Sequence, residues 1–228
     1  SRWQKSALLS EGIFQNYLKQ CRQRWEEPTT KGILHLVCVQ TDTVRNNTSL
    51  GSGELIDSLQ RLVNDDRKFG TIYADPPWKY DNQGTRARTD RHYPTLTVAE
   101  IARLPVQDVV DDNAHLHLWV TNAFLFEAMK IIEAWGFTYK SVFIWVKPNY
   151  GIGNYWRMAH EFLLLGVRGQ CPFRDRSQRS WLESPRTRHS SKPAKIRRII
   201  EKVSPADYLE LFGRSRIPGW TVLGNEII

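Results

Sequence analysis

The apolar positions of this chain change period along its length, and the changes mark its elements. Over residues 1–27, Leu9, Ile13, Phe14, Tyr17, Leu18, Cys21 and Trp25 recur at helical spacing, and Pro28 ends the run. Such a stripe has to cover something, either the rest of the chain or a partner. Ile33, Leu34, Leu36, Val37 and Val39 predict a strand over 32–40, followed by a polar loop over 46–53. A helix over 54–63 then leads to a short buried strand around Ile72 and Tyr73. Further on, Thr97 with Glu100 has the form of a capping box opening a short helix that ends before Pro105. Residues 115–121 predict a strand, Asn122 a cap, and 123–135 a helix stopped by Gly136. Another strand over 141–147 runs into Pro148. Strands are expected again over 161–167, 208–212 and 220–223, with a helix near 195–202. Strands alternating with helices predict an α/β protein: a mainly parallel sheet with helices on both faces. Residues 1–68 read as a helical arm plus a strand and a helix that join the main sheet, and 69–228 as the main domain.

Composition narrows the class. With 228 residues, 41% hydrophobic and 25% charged, the chain is long enough for one substantial core. No run approaches the ~20 apolar residues of a membrane helix, and SRWQKSALLS lacks a signal-peptide core. Cys21, Cys38 and Cys171 are odd in number and far apart, which predicts free thiols and a cytoplasmic location. The net charge of +8 points to a polyanionic partner. Of six histidines, only His115 and His117 share a strand face, a spacing more often met in packing or hydrogen bonding than in a metal site, so no metal is predicted.

The chemistry centres on TIYADPPW, residues 71–78. A strand that stops at a proline pair leaves its last carbonyls outside the ladder, and strand ends of this kind hold the sites of α/β proteins. Asp75 and the Pro76 carbonyl are acceptors suited to the two N–H bonds of an exocyclic amine, and Trp78 offers a ring to stack on its base. Drawing the nitrogen lone pair out of conjugation makes a poor nucleophile attack better. Transfer of a methyl group to an aromatic amine is the implied reaction. Its donor needs a strand end with a glycine, and ELFGR (210–214) provides one. The catalytic strand then precedes the donor strand, a permuted order.

The pattern resembles the adenine-N6 methyltransferases of the MT-A type, the family of the eukaryotic messenger-RNA adenosine methyltransferase catalytic subunit. The resemblance runs through YADPPWKYDNQ (73–83), HYPTL (92–96), LHLWVTN (116–122), WGF (135–137), WVKP (145–148), HEFLLLGVRG (160–169), HSSKP (189–193), ELFGR and GWTVLGNE (219–226). DNQGTRA, GIGNYWR and FRDRSQRSW are closer to its bacterial and phage branch. The resemblance implies a Rossmann-like, class beta fold and S-adenosylmethionine as donor. It places the catalytic motif at Asp75, Pro76, Pro77 and Trp78. Donor contacts fall on Ala74, Asp75, Lys192, Phe212, Gly213, Arg214, Asn225 and Glu226. Lys192 suits the donor carboxylate, and Asn225 with Glu226 suit the ribose hydroxyls. Ser190 and Ser191 stand where relatives often carry His.

On the acceptor side the resemblance implies Tyr93, Trp119, Trp145 and Lys147, with core packing the alternative for Trp119 and Trp145. Glu161 matches a buried acid that holds a loop through an arginine or Lys192. The target base must be flipped out or single-stranded, and the basic loops carrying Arg86, Arg88 and Arg91 and spanning 174–192 could grip phosphates. Adenine in DNA is the preferred substrate and RNA the alternative. A catalytically silent nucleic-acid-binding subunit is the rival from another class, and a homodimer or a heteromeric partner through the N-terminal helix is expected.

Overall fold

The computed structural model describes residues 50–80, 95–151, 155–186 and 191–224, with Lys19 alone before them. The helix expected over 1–27 and the strand over 32–40 lie outside these residues. The chain packs as two compact units, 1–50 and 51–228, and the sheet belongs to the second.

Helix α1 (Leu50–Asn64) leads into β1 (Phe69–Ala74), which is buried at every position. The chain continues through α2 (Val98–Ala102), β2 (Val110–Val120), α3 (Ala128–Ala134), β3 (Thr138–Val146), β4 (His160–Arg168), β5 (Trp181–Glu183), α4 (Lys195–Val203), β6 (Tyr208–Leu211) and β7 (Trp220–Leu223). The seven strands form one sheet in the order β5-β3-β4-β2-β1-β6-β7. β4 runs antiparallel to both β2 and β3, while the other neighbouring pairs are parallel. From β1 the chain moves outward to one edge, then returns to place β6 on β1's other flank. The switch point therefore falls between β1 and β6, where an open α/β sheet opens its crevice.

Alternation along the strands sorts two cores onto the two faces. Ile72, Ala74, Leu116, Leu118 and Leu211 pack with Leu55, Leu59, Ile101, Ile131 and Ile132 of α1, α2 and α3. Tyr73, Trp119, Trp145 and Leu163 face the other way and meet Ile196 and Ile200 of α4. At the start of β1, a Cβ on Gly70 would lie 2.3 Å from the Ala206 carbonyl oxygen, so only glycine allows that approach.

The expected capping box is present: the Thr97 hydroxyl accepts from the Glu100 N–H and the Glu100 carboxylate accepts from the Thr97 N–H. Three readings change. The helix expected over 123–135 is a 3-10 turn, Asn122–Phe124, then a separate α3, and Thr121 rather than Asn122 precedes the turn. The break has a tertiary cause, because Phe124 turns back to stack on Trp78 with ring centroids 5.0 Å apart. β2 starts five residues earlier than its apolar pattern, because Asp111 to Asn113 extend the strand at its exposed end. Finally, β5 pairs with the edge of β3 inside the Arg-rich segment, where hydrophobic alternation is too short to announce a strand.

Candidate active site

The parallel strands end at one edge of the sheet, and the expected catalytic residues stand there. Ala74 is the buried last residue of β1, and Asp75 follows with its side chain 36% exposed. The Lys192 ammonium lies 2.6 Å from each Asp75 carboxylate oxygen. Lys192 reaches this point from the turn before α4, which Pro193 tightens by accepting the Ile196 N–H at 2.9 Å. Glu161 on β4 stands 3.4 Å from Lys192 and bonds Lys147 at the end of β3. Asp75, Lys192, Glu161 and Lys147 thus form an alternating chain of charges across four segments.

Burial sets how each group titrates. It opposes the Lys192 charge, but Asp75 and Glu161 outweigh it and hold this ammonium above the usual lysine range. Burial likewise pushes Glu161 up, yet Lys192 and Lys147 together bring it below the usual carboxylate range. Lys147, with its side chain 4% exposed, is pulled down by burial, which Glu161 only partly offsets.

Beneath the charges lies an aromatic floor. Tyr73, Trp119 and Trp145 come from β1, β2 and β3 on one sheet face. The Trp119 indole N–H donates to the Tyr73 hydroxyl at 2.7 Å, and that of Trp145 donates to the Ser184 carbonyl at 2.8 Å. A cation sits over each ring: Arg197 over Tyr73 at 5.7 Å, Lys192 over Trp119 at 5.3 Å and Lys147 over Trp145 at 4.5 Å. Arg197 is itself held by Glu210 through bonds of 2.8 and 2.6 Å. Trp119 and Trp145 are 1% and 2% exposed, so they support the site's cations from the core rather than offering a face to a base. Lys147 faces Glu161 rather than open solvent.

Two further expectations shift. Trp78 is 7% exposed, stacked on Phe124 and bridged to Leu96, so its ring is occupied in packing the site's wall. The Pro76 carbonyl accepts the Trp78 N–H at 3.0 Å, which leaves one of its two lone pairs for an amine. The Pro77 carbonyl accepts the Leu96 N–H at 2.7 Å. A residue outside the expected set is Tyr80, whose hydroxyl meets that of Thr121 at 2.6 Å; burial first, then Glu161 and Asp75, raise its pKa. Its position inside YDNQ carried no chemical signal, because only the fold brings it against Thr121.

On the other flank β6 ends at Leu211, and Phe212 follows at φ +64°, a region few side chains enter without strain. A Cβ on the following Gly213 would lie 2.3 Å from Val222 Cγ1, so this strand end requires glycine where β6 and β7 close up. Arg214 is exposed beside it. Arg86, Arg88, Arg91, Tyr93, Asn225 and Glu226 lie outside the described residues.

His115 and His117, 0% and 5% exposed, share Ser204. The Cys171 carbonyl, 3.2 Å from His115 Nε2, can only accept, so that nitrogen carries the proton. The Ser204 hydroxyl therefore donates to His115 Nδ1 at 2.9 Å and accepts from His117 Nε2 at 2.8 Å. Among the described residues no group of His, Cys, Asp and Glu is arranged to hold a metal ion, and no helix is long and apolar enough to cross a membrane. Burial lowers both histidines, His117 to about 3. A pKa lowered by folding contributes stability that is complete above the unfolded value near 6.5 and drains away as pH falls toward the folded one. Urea unfolding should show a loss of about 2 kcal/mol from His117 between pH 6.5 and 5. In His117→Leu that part of the slope should vanish, and an unchanged slope would place the acid sensitivity elsewhere.

The profile of the MT-A70 family matches residues 69–226. A type II methyltransferase of a Mycoplasma species, M.MunI, is 33% identical over 183 residues, covering 71% of this chain and 78% of that protein. The human N(6)-adenosine-methyltransferase catalytic subunit METTL3 is 31% identical over 172 residues, and the human N(6)-adenine-specific methyltransferase METTL4 is 28% identical over 194. The chain spans 28% of METTL3's length and 40% of METTL4's.

Proposed function

The chain belongs to the MT-A70 family of adenine-N6 methyltransferases, and on that premise we propose that it methylates the N6 amine of adenine in nucleic acid, DNA in preference to RNA. The observation that carries this reading is Asp75: a partly exposed carboxylate at the end of the central strand, beside the switch point, with a half-buried cation on both oxygens. The match to most of a bacterial type II methyltransferase supports the DNA side.

S-adenosylmethionine is the proposed donor, and when bound it supplies an electrophilic methyl on a sulfonium sulfur. The residues fit such a group in kind: Lys192 is a cation for its carboxylate, and Phe212, Gly213 and Arg214 edge the crevice at the end of β6. Ala74, buried at the end of β1, completes the proposed set with Asn225 and Glu226. Asp75 accepts one N–H of the target amine and the spare lone pair of Pro76 the other. The nitrogen gains positive charge as it attacks, and a fixed carboxylate stabilises that charge more than it stabilises the neutral amine.

Lys192 first has to leave Asp75. Glu161, 3.4 Å away, would keep the ammonium within reach, and a donor carboxylate would offer it another partner, which would free Asp75 before the acceptor binds. Tyr93 and the arginines Arg86, Arg88 and Arg91 are the proposed contacts to the acceptor strand. The N-terminal helix expected over 1–27 is the proposed contact for a second copy or another subunit, and the cytoplasm is the proposed location.

Labelled methyl transfer to single- and double-stranded DNA and RNA pools, read by nucleoside mass spectrometry, tests the proposal. Label in N6-methyldeoxyadenosine is expected. Label in N6-methyladenosine alone would move the substrate to RNA, and no transfer with no heat of donor binding would favour a silent subunit.

A further inference from the structure

Two backbone hydrogen bonds join the described ends of the segment between β3 and β4. Lys147 N–H donates to the Ala159 carbonyl and Gly151 N–H to the Met158 carbonyl, both at 2.7 Å. β3 ends and β4 begins at the edge where β1 delivers Asp75, because β3 and β2 are both antiparallel to β4 and β2 is parallel to β1. The hairpin therefore stands on the active-site edge, with its base anchored by the Lys147 and Glu161 pair of the charge chain.

Its aromatic residues point to a partner. Tyr155 is 95% exposed, Trp156 85% and Tyr150 71%. Single exposed apolar residues are ordinary on a surface, but three large rings in one short segment at the sheet edge that carries Asp75 are not. The company they keep selects the partner's chemistry. From 147 to 160 the chain has no Asp or Glu, while Lys147 and Arg157 lie within it. The Arg186 guanidinium also packs on the hairpin, since a Cβ on Gly151 would lie 3.1 Å from its Nη2. Rings interleaved with guanidinium groups suit unstacked bases joined by phosphates better than they suit an apolar protein face. The conventional stacking residue of the motif, Trp78, is already occupied by Phe124.

We propose that the β3–β4 hairpin is the stacking platform for nucleotides flanking the target adenine, with Tyr155 and Trp156 on the bases and Arg157 on the adjoining phosphate. The inference rests on the nucleic-acid reading of the site. It adds a contact that the adenine pocket itself does not require: an adenine can reach Asp75 only out of its stack, and its neighbours then lose a stacking partner that these rings replace.

The test is fluorescence anisotropy of a labelled single-stranded DNA 12-mer with one central adenine, titrated with the full chain. Tyr155→Ala and Trp156→Ala should each weaken binding at least about fivefold, the low end of what loss of one stacked base costs. Trp156→Phe should recover most of the loss. Tyr139→Ala is the control, because Tyr139 is 41% exposed near the start of β3, at the opposite edge of the sheet. Equal affinity in the Tyr155→Ala, Trp156→Ala double variant would overturn the proposal. So would a fall in sedimenting mass without a change in affinity, which would make the hairpin an interface between copies of the chain. Binding is read without turnover, so a wild type that binds through the hairpin but methylates no pool counts against the proposed reaction, whereas a wild type that methylates DNA without needing the rings counts against the platform.

Discussion

Asp75→Ala should leave the protein folded and bring methyl transfer to background. Asp75 is the group proposed to hold an amine N–H and to stabilise the positive charge that grows on nitrogen. Deleting a single oriented electrostatic partner from an active site lowers turnover by about 10²–10³-fold, and here the variant also loses the partner that positions Lys192. Asp75→Asn separates the two effects. The amide keeps the size and one acceptor oxygen but drops the charge and turns an NH₂ toward the incoming amine, so turnover should still fall by at least about a hundredfold. The carboxylate is partly exposed and Glu161 remains near Lys192, so circular dichroism and the melting curve should stay close to the wild type's. Turnover retained in Asp75→Ala would remove this residue from the reaction.

Glu161→Ala should instead unfold the protein early. Its carboxylate stands between two lysine ammonium groups, and Lys147 has almost no solvent to turn to. Removing one partner of a buried pair leaves an uncompensated charge and costs about 3–5 kcal/mol, which for a domain of this size lowers the melting temperature by roughly 10 °C. The deficit should depend on pH. Lys147 is already lowered by burial, and without Glu161 it falls further, so between its folded pKa and the unfolded value near 10.5 the native state binds fewer protons than the unfolded one. Stability of the variant should therefore recover as pH rises through that window, since the neutral amine no longer needs a partner. Urea unfolding at pH 7 and 9.5 reads this directly. A variant as stable as the wild type at both pH values would mean that water screens the pair.

Much of the site could be placed along the chain before any contact was known. A proline pair after an apolar strand says where a ladder must stop, because proline has no N–H to give. Thr97 and Glu100 announce their helix because capping is a contact between residues three apart. Contacts of longer range left no such mark. Phe124 breaks the helix expected over 123–135 by packing on Trp78, and the same contact covers one face of the Trp78 ring. Trp119 and Trp145 could be read equally as pocket or core, and their side of the sheet decided for the core, with a cation above each ring. The exposed rings of the hairpin at 155–156 could not be told from buried ones by identity alone.

By itself, then, the sequence determined the α/β class and the strand that carries Asp75, both of which follow from periodicity and proline over short stretches. Only the tertiary structure decided that Lys192 covers Asp75, that Glu161 stands between two lysines, and which aromatic rings face water. Those facts depend on where β1, β4 and the turn before α4 meet, which no local preference encodes. Burial there also decides the strength of each charge, because a cation with a carboxylate on either side is held above the usual lysine range in the same setting that pulls a less well partnered one below it.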